Sequence, residues 1–319
     1  MKNKLNIFIG EQPMQSRSHQ VEGKEVTLNG EMFYEIENVY GLRLFFVSIV
    51  SHSDHWLFIS STGALSAGRK NSNFALFPYY TDDKITESGE HTGSKSSFLV
   101  DKAQRSYLWE PFSARYYGVY QVSRHLYKNA YGNKIVFEEV NHDLGLKFTY
   151  EWNSSETYGF VRQSRLTNIG LQPLCVRALD GIQNILPYGV PEGLQGSSSN
   201  LVDAYKKCEL ESDEGVGIYA LSAIISDKAE PSEALKANVV WSLGLEQPVI
   251  LLSARQLDDF RNGRALETEL DVKAERGAYF LSADLELKPE QEQSWIIVAN
   301  VSQSISDVVK IKQDLRDRD

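Results

Sequence analysis

Cysteine is scarce in this sequence, and its scarcity restricts how the chain can be held together. Only two cysteines, Cys175 and Cys208, occur among the 319 residues. Two thiols form no disulfide framework, and they cannot alone supply the roughly four ligands of a structural metal site. Free thiols in a chain of this length fit a reducing compartment, so we expect a cytoplasmic protein.

Long apolar runs are also missing. The apolar patch nearest the N-terminus, 5–9, is interrupted by Asn6 and is not followed by a small-residue cleavage site. Such a patch is too short for the core of a signal peptide. No other window approaches the roughly 20 apolar residues that cross a bilayer. We therefore expect no secretory signal and no membrane partner.

Positive charge is in deficit. Lysine and arginine together number 33 against 43 aspartates and glutamates, which gives a formal net charge of −10. Binding to a phosphate backbone needs a concentrated basic face, and here acidic residues flank most of the short basic clusters. This charge balance argues against a nucleic-acid partner.

Helical periodicity is rare, whereas short β-branched and aromatic segments recur along the whole chain. The predicted strands are 26–28, 32–36, 42–50, 55–59, 96–101, 116–122, 134–140, 146–152, 160–167, 174–179, 217–225, 239–245, 249–253, 279–287 and 294–300. Asn29 and Gly30 between the first two favour a two-residue hairpin, because both residues can take positive φ. Many short strands without intervening helices predict an all-β protein, a large antiparallel two-layer sandwich over residues 1–303.

Two segments do carry a helical pattern. Residues 254–262 place Leu257 and Phe260 three positions apart, with Gly263 as a stop signal. Residues 305–315 carry an apolar stripe after a serine that can cap the helix, Ser304 or Ser306. Because this second pattern runs into a fully charged end, we interpret 304–319 as an amphipathic linker helix that needs a further partner.

Residues 63–70, GALSAGRK, nearly spell a phosphate-binding loop. The two glycines have the required spacing, but Arg69 replaces the lysine and Lys70 replaces the hydroxyl that binds magnesium. The segment that follows does not read as a helix, so a glycine-rich connection between strands is favoured. We predict no nucleotide cofactor.

The cluster His52-Ser53-Asp54-His55 could bind a metal, or place an imidazole beside a carboxylate for acid–base chemistry. No second cluster of His, Cys or acidic residues has matching spacing. The pattern therefore favours a loop between strands, and we predict no metal site.

Carboxylates are abundant but cannot be paired from the sequence. Glycosidic chemistry needs two acids about 5 to 10 Å apart on separate elements. The candidates are Glu110, Glu138, Glu139, Asp143 and Asp180. With 43 acids in the chain, coincidence explains such a set, and we assign no catalytic residue.

Aromatic residues give a better indication of ligand chemistry. Residues 107–120 gather several rings and a guanidinium, a composition that suits sugars, which stack on rings and hydrogen-bond to charged side chains. The same residues also serve core packing in a β-sandwich, so both interpretations stay open. The predicted carbohydrate-binding residues are Trp109, Glu110, Arg115, Tyr116, Tyr117 and His125.

The order of several short segments resembles the N-terminal β-super-sandwich domain of cellobiose-phosphorylase-like glycoside phosphorylases. The matching segments are 59–66 (ISSTGALS), 99–101 (LVD) leading to 109–111 (WEP), 138–146 (EEVNHDLGL) and 165–168 (RLTN). The resemblance as a whole covers roughly residues 39–306. The segment 142–145 departs from the family's His-Gly-x-Gly pattern, and the tyrosine that usually follows is missing.

This resemblance implies a galactose-mutarotase-type fold, followed by a linker helix and a helical barrel that holds the general acid. Residues 305–315 are similar to the start of that linker. The chain would then be a non-catalytic module of a glycoside phosphorylase or hydrolase. Its expected partners are an oligosaccharide or sugar ligand, a downstream helical catalytic domain and, through a dimer contact, a second copy.

Two alternatives stay open. An aldose-epimerase-like enzyme would use His125 and His142 with Glu139 or Asp180 as an acid–base set on one concave face. A free-standing carbohydrate-binding module would instead show titration of the Trp109 fluorescence by oligosaccharide.

Overall fold

Short β-branched and aromatic segments form strands from one end of the described chain to the other, as the sequence predicts. The computed structural model describes residues 7–15, 20–195, 200–223 and 235–317. The strands are β1 (Phe8–Ile9), β2 (Gln12–Pro13), β3 (Glu22–Leu28), β4 (Glu31–Glu37), β5 (Phe46–Ile49), β6 (His55–Ser60), β7 (Leu65–Arg69), β8 (Ala75–Phe77), β9 (Gly93–Lys102), β10 (Arg105–Trp109), β11 (Val122–Asn129), β12 (Ile135–Asn141), β13 (Leu146–Ser155), β14 (Gly159–Asn168), β15 (Leu174–Ile185), β16 (Lys206–Glu211), β17 (Val216–Leu221), β18 (Lys236–Leu243), β19 (Val249–Leu251), β20 (Asp271–Lys273), β21 (Gly277–Leu287) and β22 (Glu292–Ser304).

Helices are few and short. The α-helices are α1 (Asp82–Glu87), α2 (Glu192–Gln195), α3 (Asn200–Tyr205), α4 (Leu257–Arg261) and α5 (Ile305–Arg316), and two 3-10 turns span Val39–Gly41 and Ser72–Phe74. Within the described ranges, no helix has both the length and the apolar character that crossing a membrane requires.

Apart from β1 and β2, which pair with each other, the strands form two layers. One layer is an eleven-stranded sheet in the order β20-β16-β17-β18-β22-β14-β13-β12-β11-β4-β3. The other layer consists of a five-stranded sheet, β10-β9-β15-β21-β19, and a four-stranded sheet, β5-β6-β7-β8. Neighbouring strands run antiparallel, for example β13 beside β14 and β15 beside β9. The all-β fold class and the large antiparallel two-layer architecture are therefore as predicted.

The core lies between the layers. Along β13 the residues Leu146, Phe148, Tyr150 and Trp152 are buried in alternation with half-buried polar neighbours. Residues from the five-stranded and four-stranded sheets, such as Phe98 and Leu57, pack into the same cluster. Period-two burial of this kind is what a strand gives when one face meets a core.

The hairpin predicted at Asn29-Gly30 is confirmed. Its residues have φ values of 50° and 82°, and they connect β3 to β4. Positive φ at both positions is the geometry of the turn that matches strand twist.

Several predicted strands have different bounds. The segment 42–50 is extended only over Phe46–Ile49, and β17 ends at Leu221, with part of the predicted 217–225 outside the described residues. The prediction of a strand over 116–122 is wrong, since a loop precedes β11, which begins at Val122. Gly118 in that loop has a φ of 77°, which is incompatible with a regular strand.

The predicted C-terminal helix is confirmed over Ile305–Arg316, with Ser304 as its cap in a capping box with Asp307. Part of its apolar stripe has a partner within the chain. Ile311, with Val308 and Leu315, packs against the cluster that contains Trp241 on the outside of the eleven-stranded sheet. Ile305 and Val309 on the same helix are 74% and 47% exposed, so the stripe is only partly covered by the chain's own sheet. The linker role and the downstream helical domain stay predictions.

Candidate functional site

A group of polar side chains lies on the outer face of the eleven-stranded sheet, where β4, β11, β12 and β13 run side by side. We call it the polar face, and its members are Glu35, His125, Tyr127, Glu138 and Lys147. Strand alternation puts them opposite core residues such as Ile36 and Leu126, which point inward. The register pairs Tyr127 with Glu35 and His125 with Glu138.

Within the polar face, Tyr127 is held in place by burial and by a hydrogen bond. Its side chain is buried, and its hydroxyl donates to Oε1 of Glu138 at 3.0 Å. Burial raises the pKa of Tyr127 far above its usual value, and the negative charges of Glu138 and Glu35 raise it further. The phenol is therefore protonated over the whole physiological range and acts as a hydrogen-bond donor.

His125 lies beside Glu35. Its Nδ1 is 3.6 Å from Oε1 of that carboxylate, which is too long for a hydrogen bond, and this buried nitrogen has no other partner among the described residues. The ammonium of Lys24 approaches the other oxygen of Glu35 at 3.4 Å. Glu35 thus lies between an imidazole and a fixed positive charge.

A depression of about 300 Å³ adjoins this group on the side of Tyr127 and Glu138. Its apolar part is built from Phe33, Tyr127 and Val136, which form a small cluster of their own on this face. Its charged rim includes Lys147, whose Nζ is 3.7 Å from Glu138, and Arg165, whose Nε is 3.8 Å from Glu292. An apolar floor with a few convergent polar groups is the usual composition of a small-molecule site.

Sequence reasoning found His125 and named Glu138 among the acids, but it missed Glu35, Tyr127 and Lys147. The sequence of β4 does contain an indication of this face. Glu31, Glu35 and Glu37 are separated by four and two positions, and residues an even number of positions apart share one face of a strand.

The other predicted binding residues lie elsewhere, at the edge of the sandwich. Trp109 is 1% exposed and packs in the core with its ring 5.3 Å from that of Phe98, so it presents no face to a ligand. Tyr116 is half-buried, whereas Arg115 and Tyr117 are exposed in the loop before β11. Of the six predicted residues, His125 is therefore separated from the rest.

Glu110 is buried beside that loop. Its Oε1 accepts hydrogen bonds from Ser97 at 2.9 Å and from Arg261 at 2.8 Å. Its Oε2 has no hydrogen-bond partner among the described residues, and Nε of Arg115 is 4.0 Å away. Glu110 and Arg115 are thus neighbours, as a shared binding role requires.

The acid–base set of the epimerase alternative does not meet in one place. Glu139 faces the interior, where it accepts from Trp109 Nε1 at 2.8 Å and is bound by Arg124. His125 lies on the opposite face of the same sheet. His142 is exposed in a turn and contacts Ser123 at 2.9 Å.

Asp180 is enclosed between the sheets and is 1% exposed. Its oxygens accept from Arg162 at 2.6 and 2.8 Å, from Ser96 at 2.6 Å, from Ser164 at 2.8 Å and from Trp295 at 2.7 Å. A carboxylate so fully bonded and closed off from solvent is a structural group rather than an acid or base.

The two motifs weighed as metal and phosphate sites are both structural. Asp54 is paired with Arg69 at 2.7 Å, and His55 is buried with its Nδ1 2.7 Å from the Ser53 hydroxyl. Across the described parts of the chain, no three His, Cys, Asp or Glu residues are grouped to hold a metal ion. In the glycine-rich segment, Leu65–Arg69 is strand β7, so most of the segment is a strand itself and not the predicted connection between strands.

No protein-family model matches the chain, and no curated protein is similar to it. Similar solved structures include an aldose epimerase homologue from C. elegans, with 13% identity and a TM-score of 0.48, aligned over 82% of this chain and 100% of its own. A polysaccharide lyase aligns with 13% identity and a TM-score of 0.45 over 86% of this chain and 34% of its own.

A bacterial glucoamylase is also similar, with 10% identity and a TM-score of 0.38 over 84% of this chain and 33% of its own. The chain therefore spans about a third of the length of the lyase and of the glucoamylase. Likenesses at this level concern the path of the chain and not its activity. The narrower resemblance to cellobiose-phosphorylase-like enzymes stays a prediction.

Proposed function

We propose that this chain is a saccharide-binding module of a carbohydrate-active enzyme and that it holds its ligand at the polar face without transforming it. The observation that carries the proposal is the pairing of Tyr127 with Glu138 at 3.0 Å beside an apolar floor. The parent activity, phosphorolysis or hydrolysis, comes from the sequence resemblance alone.

The chemistry of the polar face suits a sugar. A sugar hydroxyl both donates and accepts, and it needs a fixed acceptor next to a fixed donor. Glu138 supplies the acceptor, while Lys147 and Arg165 supply donors on the same rim. Phe33 and the ring of Tyr127 are buried beneath the depression, so the apolar C–H face of a pyranose can lie against the half-buried Leu28, which packs on them.

The volume of the depression and the charges around it restrict the class of ligand further. The depression of about 300 Å³ is at the lower end of the range for small-molecule sites, about 300–1,000 Å³. Several of its carboxylates already have a cation, as Glu31 has Lys134 at 2.6 Å and Glu292 has Arg165 at 3.8 Å. Because these charges are paired internally, we infer that the ligand is one or two units of an uncharged saccharide.

Isothermal titration of the chain with a panel of neutral mono- and disaccharides tests the proposal. We expect binding by the native chain and at least tenfold weaker binding by Tyr127→Phe and Glu138→Gln. The matched control is Asp259→Asn, which alters an exposed ion pair with Arg264 and should bind normally. Equal binding by all four proteins would place the ligand elsewhere.

Turnover assays test the non-catalytic part separately. Oligosaccharide incubated with phosphate should yield no sugar phosphate, and polarimetry of glucose or galactose should show no accelerated mutarotation. Mutarotation that His125→Ala or Glu35→Gln abolishes would contradict this part, because the 3.6 Å contact of His125 with Glu35 would then be an acid–base pair.

A further inference from the structure

The outer face of the five-stranded sheet is only partly covered. Helix α4 and its neighbours cover one half, where Leu257 and Phe260 pack on Leu179 and Phe280. The other half is exposed and forms the floor of a groove of about 910 Å³. Residues 261–263, at the end of α4, line one side of this groove. This volume is within the range of ligand-binding clefts, about 300–1,000 Å³.

Strand register arranges the exposed half in two rows that run across four strands. The first row is Ser106, Asp101, Cys175 and Glu286, and the second is Leu108, Leu99, Arg177 and Asp284. Their neighbours along the strands, such as Val100 and Val176, point into the core. Side chains directly opposite each other on one face are near enough to contact the same ligand.

The groove combines the groups that recognise a polyhydroxylated ligand. Leu99 and Leu108 supply adjacent apolar surface in the second row. Arg177 and Asn262 supply donors, and Asp101 supplies an acceptor. The lining is therefore neither a purely apolar surface nor a simple cluster of acids.

The charges of the groove disfavour anionic ligands. Arg177 is neutralised by Asp284 at 3.0 Å, and Arg261 is neutralised by Glu110 at 2.8 Å. Among the described residues, Asp101 accepts a hydrogen bond from the Ser106 hydroxyl, and neither Asp101 nor Glu286 forms an ion pair. A carboxylated or phosphorylated ligand would meet these unpaired carboxylates and be repelled.

We propose that this groove is a second saccharide-binding site, which takes an oligosaccharide chain that is neutral or carries amines. Its ligand class rests on the proposed function, but its residues are independent of the polar face. The polar face is on the eleven-stranded sheet and the groove is on the opposite layer, so the two sites are on opposite outer surfaces of the sandwich.

A thiol in the groove allows ligand binding there to be measured directly. Cys175 is exposed and lies in the first row between Asp101 and Glu286. The only other cysteine, Cys208, is buried, and burial raises the pKa of its thiol to about 12. Alkylation of the folded chain should therefore label Cys175 alone, and a Cys175→Ser variant should remain unlabelled.

The experiment measures the rate of Cys175 alkylation by iodoacetamide in the presence of cello-, malto- and chitosan oligosaccharides. At ten times the dissociation constant, a ligand that covers the thiol should slow labelling about tenfold. Oligogalacturonate, which is anionic, should have no effect. Arg177→Ala and Asp284→Asn should remove the protection, whereas Glu138→Gln on the polar face should retain it.

The outcomes separate the two sites. Protection that persists in Glu138→Gln supports the groove even if the polar face binds nothing. Unchanged labelling with every neutral and amine-bearing saccharide at millimolar concentration would overturn the groove and leave the polar face unaffected. Protection by polylysine or by oligogalacturonate, but not by these saccharides, would equally overturn the assigned ligand class.

Discussion

Arg162 on the eleven-stranded sheet meets Asp180 on the five-stranded sheet in a two-pronged contact, with N–O distances of 2.6 and 2.8 Å. Both side chains are essentially unexposed, at 0% and 1%. The guanidinium also lies over the ring of Tyr150, 4.8 Å from its centroid. A buried ion pair thus joins the two layers within the core.

Removal of one partner from this pair should be costly. Asp180→Asn leaves the guanidinium buried without its counter-charge, and we expect the free energy of unfolding to fall by roughly 3–5 kcal/mol. Chemical denaturation measures this change. The exposed pair of Arg264 and Asp259 is the control, since Asp259→Asn should change stability by less than about 1 kcal/mol. Similar losses in both variants would contradict the structural role of Asp180.

His55 should make the protein less stable in mild acid. Burial, and next the positive charge of Arg69, lower the pKa of His55 from 6.5 to about 4. Between pH 6.5 and pH 4, His55 binds a proton in the unfolded chain but not in the folded chain. Stability therefore falls as the pH drops from 6.5 to 4, by up to about 3 kcal/mol from this group. Unfolding curves at several pH values measure this slope, and it should be shallower in His55→Gln. An identical slope in the variant would contradict the assignment.

The C-terminal helix should contribute to the stability of the chain itself. Ile311 is 9% exposed and packs on the outer side of the sheet, so Ile311→Ala should cost about 2–4 kcal/mol. Val309, at 47% exposed, is the matched control, and Val309→Ala should cost less than about 0.5 kcal/mol. Thermal or urea unfolding distinguishes the two. Equal effects would mean that the helix does not depend on this sheet.

Gly68 should tolerate no side chain. A Cβ there would be 2.4 Å from the Phe74 carbonyl oxygen and 2.5 Å from Cζ2 of Trp56, which is its cross-strand partner. We expect Gly68→Ala to destabilise the protein by about 1–3 kcal/mol through overpacking. Gly193→Ala is the control, since a Cβ at that position meets nothing within 4 Å. A stable Gly68→Ala protein would indicate that both the Trp56 ring and the backbone at Phe74 can move aside.

Local chemistry predicted much of the fold. The Asn29-Gly30 hairpin follows from the φ values that these two residues accept, and helix α5 follows from a serine cap and an apolar stripe. The loop before β11 was not predicted, because its aromatic residues have high strand propensity. There the backbone turns so that Phe112 N can bond Glu139, a residue distant in sequence, at 2.8 Å.

The sequence by itself determined that this protein is a sandwich of antiparallel strands, since β-branched and aromatic segments and turn residues act over a few neighbouring positions. Only the tertiary structure decided which side chains meet. Glu138 and Glu139 are adjacent in the chain, yet one faces solvent beside Tyr127 and the other faces the core beside Trp109. Successive strand residues point to opposite faces, and the strands that lie beside them are chosen by packing over long distances in sequence.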